Sequence, residues 1–115
     1  MVKMDNSGLI RLVSTNLAFE QLWDNVRETQ LTNLNCWILT GRPAHKLSND
    51  DDDICDEWVL PVELLQYRCG RLTLEILDTV FHSVKSERIT LAIVSDDGTI
   101  VYYFIYKGLH KPKKN

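Results

Sequence analysis

The chain has little of what dedicated chemistry is usually built from. Its 115 residues include three cysteines, three prolines and five glycines. Cys36, Cys55 and Cys69 are odd in number, widely spaced and form no C-x-x-C pair, which argues against a disulfide framework and against a zinc site. Cys36 and Cys69 adjoin apolar or turn residues and read as reduced packing residues. No glycines fall into a G-x-G pattern, so a glycine-rich phosphate cradle is missing, and neither H-E-x-x-H nor G-x-S-x-G occurs. The longest apolar run is the seven residues Ile100 to Tyr106, whereas a membrane-spanning helix needs about 20. The amino terminus, MVKMDNSGLI, lacks the apolar core of a secretion signal and the arginine-rich face of a transit peptide. The chain is therefore expected to stay inside the cell unless a partner carries it elsewhere.

What is present is ordinary for a folded domain: 44% hydrophobic and 25% charged residues, too apolar for intrinsic disorder, at a length that suits one domain spanning residues 1–115. The net charge of −3 hides an asymmetry. Residues 107–115 hold four lysines and no acid, and six of the sixteen acids fall between Asp50 and Glu57. The low pI thus reports one acidic loop on a nearly neutral body. A generally basic face for holding RNA by phosphate neutralisation is lacking.

Leu9, Leu12, Val13, Leu17, Phe19, Leu22, Trp23 and Val26 recur at mostly three- and four-residue steps. This predicts an amphipathic helix capped by Asn6 or Ser7 and ending at Thr29-Gln30. Cys36 to Thr40 reads as a short buried strand stopped by Gly41-Arg42-Pro43. Residues 48–57 read as a mobile acidic loop, because blocks of like charge repel and stay solvated. Asp50 to Asp53 lack the glycine turn and the distal glutamate of a calcium loop. Trp58-Val59-Leu60 before Pro61 reads as a strand end or an edge, since proline cannot donate to a ladder. Residues 72–84 predict a second helix, and Arg88 to Asp96 and Thr99 to Tyr106 two more strands. The expected fold is α/β of the α+β type: a small mixed sheet with two helices, ending in a two-stranded hairpin.

That hairpin is the most informative segment. Asp97-Gly98 between two β-rich runs predicts a two-residue turn with positive φ at both central positions. Ile93 would then face Tyr102, Leu91 Phe104 and Ile89 Tyr106, with Val94–Val101, Ala92–Tyr103 and Thr90–Ile105 on the other face. Both faces of the last strand are apolar, which is the habit of a strand covered on both sides. Two readings stay open: a central strand buried within its own fold, or a strand buried in part by another protein through sheet addition or face packing.

Three histidines offer little. His82 lies on the second helix, His45 in a loop beside Lys46, and His110 in the basic tail, and nothing in the spacing positions any of them as a general base. The tail KGLHKPKKN presents Lys107, Lys111, Lys113 and Lys114, whose charge suits RNA phosphate as an auxiliary to another protein's site.

The segment SERITLAIVSDDGTIVYYFIYKGLHKPKKN, with GRPAHKLSND and NLAFEQLW, resembles the fifteen-kilodalton accessory subunits of eukaryotic tRNA-splicing endonuclease in their budding-yeast form. The resemblance covers nearly the whole chain. It is strongest from Glu87 to Lys114 and weakest through the acidic loop.

The resemblance implies a nuclease-type α/β domain in a heterotetramer of two catalytic and two structural subunits, this chain being structural. It implies pairing with the smaller catalytic subunit, last strand beside last strand, which places Val101, Tyr102, Tyr103, Phe104, Ile105 and Tyr106 at the partner interface. It implies further that Asp96, Asp97 and Gly98 form an acidic loop docking into a basic cleft of the other heterodimer. Catalytic relatives cut pre-tRNA introns with a tyrosine, a histidine and a lysine, without metal or other cofactor, leaving 2′,3′-cyclic phosphate and 5′-hydroxyl ends. This chain departs from that pattern: Tyr67 has no histidine at the needed place, and Glu87 and Arg88 stand near the lysine's position. An arginine does not exchange its proton at neutral pH, so the resemblance implies an inactive subunit. It places the complex in the nucleus or, in yeast, on the cytosolic face of the mitochondrial outer membrane through another subunit. Two competing readings are a self-sufficient ribonuclease using His82 or His45, and a homodimeric interaction module that pairs its last strand with its own copy.

Overall fold

The computed structural model describes residues 6–31, 36–45, 56–68 and 73–107. Most of the acidic loop, Cys55, Cys69, His110, Lys111, Lys113 and Lys114 lie outside the described residues. The chain enters helix α1 (Ser7–Thr15), which continues into a π-helical turn (Asn16–Glu20). Strands β1 (Asp24–Leu31), β2 (Cys36–Arg42) and β3 (Glu57–Glu63) follow, then the short helix α2 (Leu64–Arg68) and helix α3 (Leu74–Val84). Strands β4 (Arg88–Val94) and β5 (Ile100–Tyr106) complete the described elements. The strands form one mixed sheet in the order β1-β2-β3-β4-β5. β3 and β4 run parallel and every other neighbouring pair runs antiparallel. The expected α+β class, mixed sheet and terminal hairpin are all present.

Helices cover both faces. On one, Ile76, Val80 and Phe81 of α3 bury against Ile89, Leu91 and Ile93 of β4, with Ile38, Leu60 and Val62 beneath. On the other, Ile10, Val13 and Leu17 bury against Leu39, Val59, Ala92 and Val94. β4 is apolar on both faces because both are covered. Helix α3 starts where Thr73 Oγ1 accepts the Ile76 amide at 3.2 Å, and it stops at Lys85, whose φ of 55° is left-handed. Cys36 is a free, fully buried thiol pushed up to about 11 by desolvation, in keeping with a reduced packing residue.

The expected first helix is much shorter than its periodicity suggests. Val13 and Leu17 of the stripe are buried, but Leu12 is exposed, the π turn begins at Asn16, and Leu22 (φ 61°) and Asn25 (φ 54°) adopt left-handed backbone that no helix continues through. Residues 24–31 then form a sheet edge whose side chains are nearly all exposed, so no two-residue alternation marked it. Phe19 and Leu22, counted in the stripe, are exposed.

Pro61 needs a correction as well. It lies within β3, the middle strand of the sheet, not at a strand end or an edge. The β2–β3 ladder runs from Gly41↔Glu57 to Leu39↔Val59, and the next hydrogen-bonded pair would join Trp37 to Pro61, which has no N–H to give. Asn6 fills that position. Its Nδ2 donates to the carbonyls of Trp37 (2.8 Å) and Pro61 (2.9 Å), and its Oδ1 accepts the Trp37 amide (2.7 Å). Asn6 is therefore buried as a wedge between strands, and its side chain makes no helix-capping bond.

The hairpin register differs by one residue from that expected. The Ser95 amide donates to Thr99 O (2.9 Å), and the Gly98 amide donates to Ser95 O (3.0 Å) with Gly98 at φ 89°. This is a three-residue loop with glycine in a left-handed bulge, not a two-residue turn. Ile93 consequently faces Val101, Leu91 faces Tyr103, Ile89 faces Ile105 and Thr90 faces Phe104. A one-residue slip exchanges the faces. Val101, Tyr103 and Ile105 thus lie on the α3 side, and Tyr102 and Phe104 on the α1 side.

Candidate functional site

β5 ends the sheet. Its inner edge bonds to β4 along all seven residues, and among the described residues nothing pairs with its outer edge. A central position for this strand is therefore overturned. Its side chains are only partly covered: Val101 is 42% and Tyr103 54% exposed, Tyr106 is also exposed, and Ile100, Tyr102, Phe104 and Ile105 are half-buried. Isolated apolar surface is common, but here it coincides with an open backbone edge, the arrangement that sheet addition uses.

Two of the half-buried residues make specific polar contacts. Tyr102 donates its hydroxyl to Asn16 Oδ1 at 2.6 Å, tying β5 to the π turn, and burial pushes its phenol up to about 12. The Phe104 ring lies under the Arg88 guanidinium, 4.4 Å from its centroid. Arg88 in turn grips Glu57 through two bonds, Nη2 to Oε2 at 2.5 Å and Nε to Oε1 at 3.4 Å, both side chains being largely buried. Glu57 belongs to this pair rather than to the solvated acidic run in which its sequence neighbours place it. Parallel pairing of β3 with β4 sets the two side by side, and the signal for that was the spacing of the strands, not the charge pattern.

At the tip, Asp96 and Asp97 are exposed, above a shallow groove lined also by Leu64, Leu65 and Arg68. Asp97 Oδ1 accepts the Thr99 amide at 3.0 Å, and the hydrogen bonds from Thr99 hold its carboxyl below the usual aspartate range. Lys107 is exposed just past β5, its amide bonded to Glu87 O at 2.9 Å.

His82 is exposed on the last turn of α3 beside Asp78, Thr79 and Ser83, His45 is exposed after β2, and Tyr67 is exposed on α2. These three stand on different elements. No group of three or more histidine, cysteine or acidic side chains able to hold a metal ion occurs among the described residues.

Among the described residues this is an α+β domain whose last strand has an unpaired outer edge. Comparison with known proteins narrows the class: the Sen15 protein family matches residues 12–115, and the chain belongs to that family. It is 51% identical over 111 residues to the tRNA-splicing endonuclease subunit SEN15 of Eremothecium gossypii, covering 95% of this chain and 92% of that one. It is 30% identical to a probable tRNA-splicing endonuclease subunit, sen15, of Schizosaccharomyces pombe, over 94% of this chain and 83% of the relative. The probable subunit tsp-1 of Neurospora crassa is 24% identical, over 94% of this chain and 66% of the relative.

Proposed function

We propose that the chain is a non-catalytic, structural subunit of the heterotetrameric tRNA-splicing endonuclease. That assembly excises introns from pre-tRNA by cutting at both splice sites, leaving 2′,3′-cyclic phosphate and 5′-hydroxyl ends. The chain pairs with the smaller catalytic subunit, whose last strand continues the sheet beyond β5. The observation that carries this reading is the open outer edge of β5, flanked by exposed Val101, Tyr103 and Tyr106. Family membership and the names of the relatives support the assembly.

The non-catalytic role rests on this chain's own groups. Cleavage of this kind needs removal of a 2′-hydroxyl proton, protonation of the 5′ leaving oxygen and a cation at the phosphorane. Near the place of the family's lysine stand Glu87 and Arg88, and Arg88 is engaged by Glu57 and Phe104 and does not exchange protons at neutral pH. Tyr67 and His82 lie on separate helices. Asp96 and Asp97 are read as the acidic loop that docks into a basic cleft of the other heterodimer. The loop is already ordered by its own hydrogen bonds and loses little entropy on docking. The lysine tail contacts pre-tRNA phosphates as an auxiliary. The assembly resides in the nucleus or on the cytosolic face of the mitochondrial outer membrane, held there by another subunit.

Co-expression with the smaller catalytic subunit tests the reading. Val101→Asp with Tyr103→Asp is expected to abolish co-purification while the isolated chain stays folded. Unchanged co-purification would overturn the interface. Ile105 is a poor target, because it packs against the α3-side core. Asp96→Lys with Asp97→Lys is expected to loosen the tetramer and spare the heterodimer. Pure chain is expected to leave intron-containing pre-tRNA uncut.

A further inference from the structure

The connection between α1 and β1 carries features that packing of the sheet does not require. The helix passes into the π turn, Leu22 holds a left-handed φ of 61°, and Phe19 and Leu22 stand 75% and 66% exposed. Single π turns and left-handed non-glycine residues are energetically costly, and both concentrate at functional positions. Beside this turn lies a cavity of about 160 Å³ lined by Leu17, Gln21, Trp23, Thr90, Tyr102 and Phe104. Four of the six are aliphatic or aromatic; the Thr90 hydroxyl, unpartnered but closed off from water, does not select the occupant. A cavity of about 150 Å³ with an apolar lining accepts a benzene ring. The volume here therefore suits a single aromatic or branched aliphatic side chain.

Two of the lining residues fix where such a side chain would come from. Tyr102 and Phe104 belong both to this cavity and to β5, so the cavity is continuous with the edge read above as the docking strand. We infer that the cavity receives one apolar side chain, aromatic or branched aliphatic, from the protein that pairs with β5. The inference rests on the β5-pairing reading and extends it. The partner is held by backbone bonds at the edge and by a side-chain anchor on the α1 face, the kind of central apolar plug that dominates interface energetics. It also gives the π turn a role, because that turn carries Leu17 to the lining and Asn16 to the Tyr102 hydroxyl.

Gln21 is exposed and borders the cavity, so substitutions there reach it without disturbing the core. Gln21→Trp plugs the cavity from outside, and Gln21→Glu sets a carboxylate against its apolar lining. The experiment titrates the smaller catalytic subunit into the full chain labelled with 5-fluorotryptophan, the Trp23 resonance being assigned through Trp23→Phe. The expected result is a moved Trp23 fluorine resonance on association, with both Gln21 variants weakening association on the order of tenfold. Their melting temperatures should stay close to that of the unsubstituted chain, since each loses only the long, exposed bond from Gln21 Nε2 to Asn16 Oδ1. If association is unchanged in both variants and the Trp23 resonance stays in place, the partner attaches through β5 alone. The inference then falls and the pairing reading stands. If the unsubstituted chain does not associate at all, the pairing reading falls and takes the inference with it. A small molecule found in the cavity by native mass spectrometry and retained in the heterodimer would also overturn it.

Discussion

Asn6 donates its side-chain amide to the carbonyl of Pro61, fifty-five positions along the chain, at a distance of 2.9 Å. With its bonds to Trp37, that amide stands in for the peptide N–H that proline lacks. Asn6→Ala would leave both carbonyls and the Trp37 amide unpaired in a buried gap, at an expected cost of about 2–4 kcal/mol. Asn6→Asp keeps the acceptor but loses both donated bonds, so it should cost at least as much at pH 7. Urea denaturation of the two variants checks this, and a loss below about 1 kcal/mol would refute the wedge.

The Glu57–Arg88 pair makes an asymmetric prediction. Removing one member unbalances a largely buried ion pair, so Arg88→Met or Glu57→Gln alone should cost on the order of 3–5 kcal/mol. The double replacement Glu57→Met with Arg88→Met should recover most of that loss, because two buried ions give way to apolar packing. A double-mutant cycle by chemical denaturation measures the coupling.

Gly98 holds φ 89° with nothing near the position of an added Cβ. Gly98→Ala therefore meets no clash, and its cost is backbone strain alone, about 1–2 kcal/mol. Gly41 is the opposite case. An added Cβ would lie 3.1 Å from Trp23 Cε3 and 3.2 Å from Val26 Cγ2, so Gly41→Ala should push β1 away from β2. Faster amide exchange across the β1–β2 ladder is the measurement that shows it.

Stability should fall on the alkaline side. Cys36 rises from 9.0 to about 11 and Tyr102 from 10.0 to about 12, both through burial of the neutral form. A raised folded-state value means that the folded chain holds its proton longer than the unfolded chain. Stability is therefore intact below pH 9 and lost as pH climbs through 9–11 for the thiol and 10–12 for the phenol. Melting temperatures across pH 7–11 should show the decline. Cys36→Ala, although less stable overall, should shift its onset upward.

Much of the fold was legible because the apolar pattern and the burial agree. Helix α3, β2, β4 and β5 occupy close to the expected segments, and the α+β class follows from them. The misses share a cause: polar or conformational terms overrode the periodicity. Leu22 and Asn25 turn the chain out of its helix although the apolar spacing continues. β1 lies at an edge and has no buried alternation to read. Pro61 sits mid-sheet only because Asn6 supplies a donor from far along the chain. The hairpin slipped one position because Asp97 uses its carboxylate on Thr99 and leaves a single left-handed residue at Gly98. Within the candidate site, the exposure of Val101 and Tyr103 was not readable from composition, since both flanks of β5 are equally apolar. The edge position of β5 removes the reading of a central strand, and pairing with another chain stays the proposal made above.

The unsealed margin of β5 also bears on how the protein is made. On the proposed pairing, a subunit whose apolar β5 border is unpaired among the described residues is best synthesised in step with the chain that closes that border. Copies in excess can stack border to border or present a loose ribbon to proteases. Cellular abundance of the chain should then follow that of its companion rather than its own transcript.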